Sequence, residues 1–309
     1  MTAPVATKRQ ASPLPNRPVS RWSRDVVENK IFGGLRWVVI AGLLLVTLFP
    51  FYYMVILSMK PLDALLRDPG SLVIPFNELD LGAYLSILTP QADGGQGFLQ
   101  FMGNSAIVAV GTVLISLIVA IPGSYAISRL DFFGRRQVSA LFLAVYLFPS
   151  ILLAIPLFTF FTRAGLRGQL VALLIVYVAQ VIPVTIYMLR NYFDTIPTSL
   201  EEAAALDGCS RLGTLFRISL PLAMPAIISN ALFVFMIAWN EFLFALLFLV
   251  NSRDSWTVSL GLSQLAGSIE VPTTVLMAGS VVLTLPIIVI FFASERLLTE
   301  GLTAGAEKG

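Results

Sequence analysis

Six long apolar blocks run through the chain, at about 35–59, 102–127, 138–161, 169–190, 222–250 and 274–297. A helix needs about 20 mostly apolar residues to cross the roughly 30 Å hydrocarbon layer of a bilayer, and every block reaches that length. Hydrocarbon offers no water to backbone amides, so such blocks form helices. Their apolar residues are continuous or helically spaced, without the alternation of a membrane β-barrel. The expectation is an all-α membrane protein with six transmembrane helices. Composition agrees: 57% of residues are hydrophobic and 12% charged, about half the charged share of an ordinary soluble domain.

Lys and Arg then orient the chain, because they concentrate in cytoplasmic segments. With the N-terminus inside, fifteen of the twenty Lys and Arg fall on the inside, including Arg129, Arg135, Arg136, Arg190, Arg211 and Arg217. Five (Lys60, Arg67, Arg163, Arg167, Arg253) fall outside. Both termini are therefore expected in the cytoplasm, with residues 1–34 read as a flexible, Pro- and Ser-rich arm and 298–309 as a tail. The first block is long enough for a retained span rather than a cleaved signal. Residues 60–101, the largest outside segment, are rich in Pro, Gly and Asp and read as an ordered loop with one or two short helices.

Several chemistries drop out early. The chain has no histidine and one cysteine, Cys209, which removes an internal disulfide, most zinc, haem and iron–sulfur sites and histidine-dependent catalysis. Cys209 reads as a small filler residue. Net charge is only +2, and no basic–aromatic stretch suggests nucleic acid. The sequence presents no catalytic residues, no metal ligands and no cofactor site.

One segment between the fourth and fifth blocks is polar. It reads "EEAAALDGCSRLGTLFRISLP", Glu201 to Pro221, within a connection of about 191–221. Thr198 or Ser199 can cap a helix, and Ser199 to Glu202 fits a capping box. Ala203, Ala204, Ala205 and Leu206 favour helix. Gly208 is placed to end it in a left-handed conformation. Ser210 can cap a second helix whose Leu212, Leu215 and Phe216 share an apolar face. The residues alone leave two readings open: a well-capped connector, with Glu202 serving local capping, or a docking element for a cytoplasmic partner that approaches the small alanines.

Glu202-Ala203-Ala204, then Gly208, then Ile218-Ser219-Leu220-Pro221 resembles the EAA signature of ABC importer permeases. The terminal "GLTAGAEKG", Gly301 to Gly309, looks like the tail of one permease subunit of maltose-type carbohydrate importers, although Glu307 departs from the usual aliphatic residue there. The resemblance covers the chain from about Leu35, and the preceding arm is longer than the family's. It implies a type I importer permease fold with a cytoplasmic coupling helix. It implies ATPase docking through Glu201, Glu202, Ala203, Ala204, Asp207, Gly208 and Arg211, and a tail (Gly301, Leu302, Thr303, Ala304, Gly305) at the ATPase interface. It also implies the partners: an ATPase dimer, a second permease subunit, an extracytoplasmic solute-binding protein and a sugar, in the inner membrane of a bacterium or archaeon.

An ATP-driven transporter needs a phosphate cradle of the form G-x-x-x-x-G-K-[ST]. The chain contains no Gly-Lys-Ser or Gly-Lys-Thr, so ATP and Mg are expected on a separate ATPase. Within the spans one acid stands out, Glu241 in "AWNEFLF". Asn240 and Glu241 are candidates for the solute path, for a contact to the outside loop, or for a polar pair packed between helices. Two other functions stay open: a permease for a non-sugar solute such as glycerol phosphate, and a stand-alone carrier using Glu241 as its ion-linked group. Pro122, Pro149, Pro156, Pro183 and Pro286 fall in or near spans, where each can kink a helix.

Overall fold

A computed structural model describes residues 24–306 apart from Glu270, with side chains described over 32–295. Residues 1–23 of the expected arm and residues 307–309 of the tail lie outside the described residues. The described chain is helical, with no strand among the described residues. The helices are α1 (Arg24–Ser58), α2 (Leu62–Arg67), α3 (Gly82–Leu88), α4 (Phe98–Arg129), α5 (Arg135–Leu147), α6 (Ala154–Arg163), α7 (Leu170–Phe193), α8 (Thr198–Leu206), α9 (Arg211–Thr214), α10 (Leu220–Leu222), α11 (Met224–Asn240), α12 (Leu243–Leu249), α13 (Val258–Ala266) and α14 (Thr273–Ala306). The described residues divide into two compact units, one up to Tyr53 and one from Met54 onward. In the first, α1 already starts at Arg24, so residues 24–34, read from sequence as flexible arm, are helical.

Among the described residues, four helices are long and apolar enough to cross a membrane: Phe32–Ser58, Phe98–Arg129, Leu170–Phe193 and Thr273–Glu295. Two further candidates are bent pairs. The block expected as one span at 138–161 is split into α5 and a second arm starting at Ser150, with an 84° bend. Pro149 explains the split: it lacks an amide donor, and it pushes the preceding residue out of the helical region. Phe148 accordingly has ψ 128°. The block expected at 222–250 is also discontinuous. Helix α11 meets the Arg211–Leu222 arm at 76°, with Pro225 at its second position. It then ends at Asn240, because Glu241 is extended (φ −62°, ψ 132°). Pro122, Pro183 and Pro286, in contrast, lie inside helices that continue through them. The expected outside loop, 60–101, holds α2, α3 and two 3₁₀ turns. Helix α14 runs without interruption through the tail boundary expected near 298, and Gly301 to Gly305 lie on it.

Helices α4 and α7 pack together along their length, and α11 lies against both and against α14. Two apolar clusters divide this bundle. One gathers Phe98, Phe101, Tyr177, Trp239, Phe248 and Trp256 toward the start of α4. The other gathers Tyr125, Ile186, Leu189, Phe193, Leu215 and Ile227 toward its end. In the first cluster α13 passes so close to α4 that a Cβ on Gly261 would stand 2.5 Å from Cδ2 of Phe101. Phe101 has little room to yield, with ring centroids of Phe98 and Trp256 at 5.5 and 5.6 Å. Gly261→Ala is expected to cost about 1–3 kcal/mol by overpacking, read as a lower thermal midpoint of the purified protein. An unchanged midpoint would show that the ring can move aside.

Candidate functional site

The polar segment folds as a hairpin held at the end of the second cluster. Helix α8 starts two residues earlier than the capping-box reading requires. Pro197 is the N-cap, and no side chain caps the helix. The expected box between Ser199 and Glu202 is therefore absent, because Ser199 already lies inside the helix. The other end follows the sequence. Gly208 has φ +82°, its amide donates to Ala205 O at 3.1 Å, and the Cys209 amide donates to Ala204 O at 2.9 Å. Those two bonds and the left-handed glycine make a Schellman motif. Ser210 then caps α9, its Oγ accepting from Gly213 N at 3.2 Å. After α9 the backbone widens into a π-helical turn over Leu215–Ser219 before α10. Such turns are rare and recur at functional positions.

The hairpin has two faces, and helical spacing separates its two glutamates. Neighbouring residues on a helix point about 100° apart, whereas residues three apart share a face. Glu201 and Ala204 point inward, Ala204 being buried. Glu202, Ala203, Asp207, Gly208 and Arg211 are exposed. Among the apolar residues, Leu206 is 91% exposed, and Leu212 and Phe216 also face outward. The apolar face expected from Leu212, Leu215 and Phe216 is thus divided. Only Leu215 is buried, because the π turn rotates the residues that follow α9.

Glu201, grouped from sequence with the docking residues, instead ties the hairpin to the bundle. Its Oε1 accepts from Arg129 Nε at 2.9 Å and from Ser219 Oγ at 2.9 Å. Its Oε2 accepts from the Tyr125 hydroxyl at 3.2 Å. The Arg129 and Glu201 side chains are only 10% and 12% exposed. Arg129 also donates from Nη2 to the carbonyls of Phe193 (2.7 Å) and Ile196 (2.8 Å), and from Nη1 to Ser128 Oγ (3.0 Å). Ser128 in turn donates to Asp194 Oδ1. A single guanidinium fork therefore joins the end of α4, the end of α7 and α8, while Ser219 adds the π turn. Sequence reasoning missed Arg129, Tyr125 and Ser219 as a set. An arginine closing an apolar block was visible, but its partner lies 72 positions away.

At the other end of α11 the two candidate path residues part. Asn240 is exposed, with its Nδ2 donating back to Met236 O at 2.9 Å. Glu241 turns inward and accepts from the buried Tyr177 hydroxyl, from Phe244 N at 2.9 Å and from Ala245 N at 3.2 Å. A cavity of about 640 Å³ opens beside the bent α5–α6 pair and α7, lined largely by apolar residues with Tyr146, Ser150 and Gln180 among them. Nε2 of Gln180 is buried without a hydrogen-bond partner.

Residues 112–303 match a family described as binding-protein-dependent transport system inner membrane component. The chain belongs to this family. The matched segment of the permease includes the hairpin, Tyr125, Arg129 and both bent helix pairs. An inner membrane ABC transporter permease of Escherichia coli, YcjP, is 40% identical over 271 residues, covering 87% of this chain and 94% of its own length. A trehalose/maltose transport system permease, MalG of Thermococcus litoralis, is 37% identical over 268 residues, covering 86% and 93%. Among solved structures, a chain of a bacterial ABC transporter involved in import of the acidic polysaccharide alginate superposes with TM-score 0.74 at 26% identity, covering 91% of this chain and 99% of that one.

Proposed function

We propose that this permease is the transmembrane subunit of an ATP-driven sugar importer in an inner membrane, forming half of the solute path and driven by a separate ATPase. The observation that carries this reading is the two-faced hairpin. Its inner face is locked to two membrane helices through Glu201 and Arg129, and its outer face is free. A helix rigidly joined to the bundle and exposed on its far side can pass a push from a partner to the spans. Exposed Leu206, Leu212 and Phe216 beside Glu202 and Asp207 form a mixed surface of the kind partners cover. The sugar class rests on relatives named for trehalose/maltose transport. The absence of a Gly-Lys-Ser or Gly-Lys-Thr from the sequence agrees with ATP and Mg binding on other chains.

The remaining partners follow from the same reading: a solute-binding protein outside, a second permease, and an ATPase dimer met by the hairpin and by the tail Gly301 to Gly305, with both termini cytoplasmic. Asn240 and the cavity residues Tyr146 and Gln180 are the candidate solute contacts. Any ATPase contact by the Glu201 carboxylate would require it to leave Arg129, so Glu202, Ala203, Asp207, Gly208 and Arg211 are the docking candidates.

The test is a pair of substitutions in the assembled transporter. Glu202→Lys changes an exposed side chain, and surface changes of this kind usually move stability by less than about 0.5 kcal/mol. Uptake is expected to fall at least tenfold while the permease still reaches the membrane. Gly208→Pro demands φ near −65° where the chain has +82° and deletes the amide bonded to Ala205 O, so it unlocks the end of α8. ATP hydrolysis that continues without uptake is the expected signature of both. Normal uptake in both variants would refute the coupling role.

A further inference from the structure

We infer that the cleft between the α4–α5 loop and the end of α7 binds the phosphate headgroup of an anionic phospholipid. The cleft, about 350 Å³, is lined by Asp131, Phe132, Arg135, Arg136, Ser139 and Arg190. Its charges do not cancel. Arg135 pairs with the fully exposed Asp131 at 3.1 Å. Arg190 Nε is buried 3.6 Å from Asp194 Oδ2, a long ion pair without a hydrogen bond, while Ser128 takes the other oxygen, Oδ1. Arg136 is exposed and has no ion pair or hydrogen bond among the described residues. Arg136 therefore offers donors that the chain leaves unused, and three arginines stand against the two carboxylates of Asp131 and Asp194. The start of α5 adds to them: Gly134 supplies no side-chain cap, so first-turn amides face the same anion-favouring end of the helix.

The position selects a lipid over a free anion. Helices α4 and α7, both long enough to span, end at Arg129 and Phe193, so the cleft lies where these helices leave the hydrocarbon. Phe132 and Phe133 beside it are exposed, and aromatic rings of this kind settle at the membrane interface. Helix α5 has no buried side chain, and its Leu141, Leu143, Val145 and Leu147 are exposed. A dissolved phosphate would use the arginines alone. A phospholipid uses the arginines for its headgroup and the apolar flank for its acyl chains. Basic pockets at this depth between membrane helices hold anionic headgroups, and each cation near the surface contributes enough for about a fivefold change in binding. The inference is independent of the solute and the ATPase, and rests on the proposed orientation only for the choice of the inner leaflet.

The full-length chain, purified in mild detergent, is titrated with phosphatidylglycerol or with phosphatidylcholine of matched acyl chains, and retained lipid is counted by native mass spectrometry. The wild type is expected to retain phosphatidylglycerol preferentially. Arg136→Ala is expected to reduce that retention about fivefold and leave phosphatidylcholine unchanged, whereas Arg217→Ala, an exposed cation outside the cleft, leaves both unchanged. Arg136→Gln, which keeps a polar side chain but not the charge, is expected to behave like Arg136→Ala. Full retention in both Arg136 variants would overturn the assignment. So would an equal fall in Arg217→Ala, which indicates nonspecific attraction. Displacement of the lipid by millimolar inorganic phosphate would overturn it in favour of a free-anion site.

Discussion

Arg129→Ala is expected to detach the hairpin from the bundle. The guanidinium makes four contacts of a kind no other side chain can reproduce together: Glu201, the carbonyls of Phe193 and Ile196, and Ser128 through its three nitrogens, with Tyr125 and Ser219 bonded to the same carboxylate. Removing one partner of a buried ion pair costs about 3–5 kcal/mol, because the other charge is stranded. Here the stranded group is a carboxylate only 12% exposed. Arg129→Lys keeps the charge but not the planar fork, so it can serve Glu201 or the carbonyls and falls between wild type and alanine. Glu201→Ala in the same chain as Arg129→Ala is expected to recover part of the loss, since neither charge is then left alone. The thermal midpoints of the two single variants and the double variant give the coupling directly. Midpoints that simply add would mean that the pair is not a unit. Uptake and ATP hydrolysis give a second readout. If the pair transmits motion, Arg129→Lys loses uptake out of proportion to its loss of folded protein.

The two glutamates show what the sequence could and could not reveal. "EEAAALDG" made the glycine stop of α8 legible, because Gly208 and Ser210 act through bonds to residues three to five positions away. Local chemistry of this range is legible. The assignment of Glu201 outward and Glu202 to a capping box depended on where the helix began, and its N-cap is Pro197, two residues before the expected Ser199. A shift of two residues at the start decides which side chains the helix can cap. The spans divide in the same way. Apolar length located four continuous spans among the described residues, whereas the blocks at 138–161 and 222–250 fall on bent pairs whose 84° and 76° bends depend on how the chain resolves each proline. Pro183 stays within a helix that α4 supports along its length, while Pro149 stands where α5 has no buried side chain. Proline alone does not say which outcome applies; the packing around it does.

Glu241→Leu is expected to undo the junction between α11 and α12. The sequence offered four roles for this acid, and the geometry engages its carboxylate with the chain itself. Leucine would leave the Phe244 and Ala245 amides and the buried Tyr177 hydroxyl without their acceptor. Unsatisfied buried donors cost about 1–3 kcal/mol each, so the loss should be about 3 kcal/mol or more, seen as a lower thermal midpoint and less protein in the membrane. Glu241→Gln keeps the shape and one acceptor oxygen, and should be milder. That variant separates structure from transport chemistry. An acid that carries a coupled ion must titrate, so glutamine in that role would abolish uptake without touching the fold. An acid that anchors a helix break needs only an acceptor, and uptake by Glu241→Gln should then track the amount of folded permease. The three bonds already made by Glu241, two of them to backbone amides that begin α12, favour the second outcome, and a folded but inactive Glu241→Gln would reverse it.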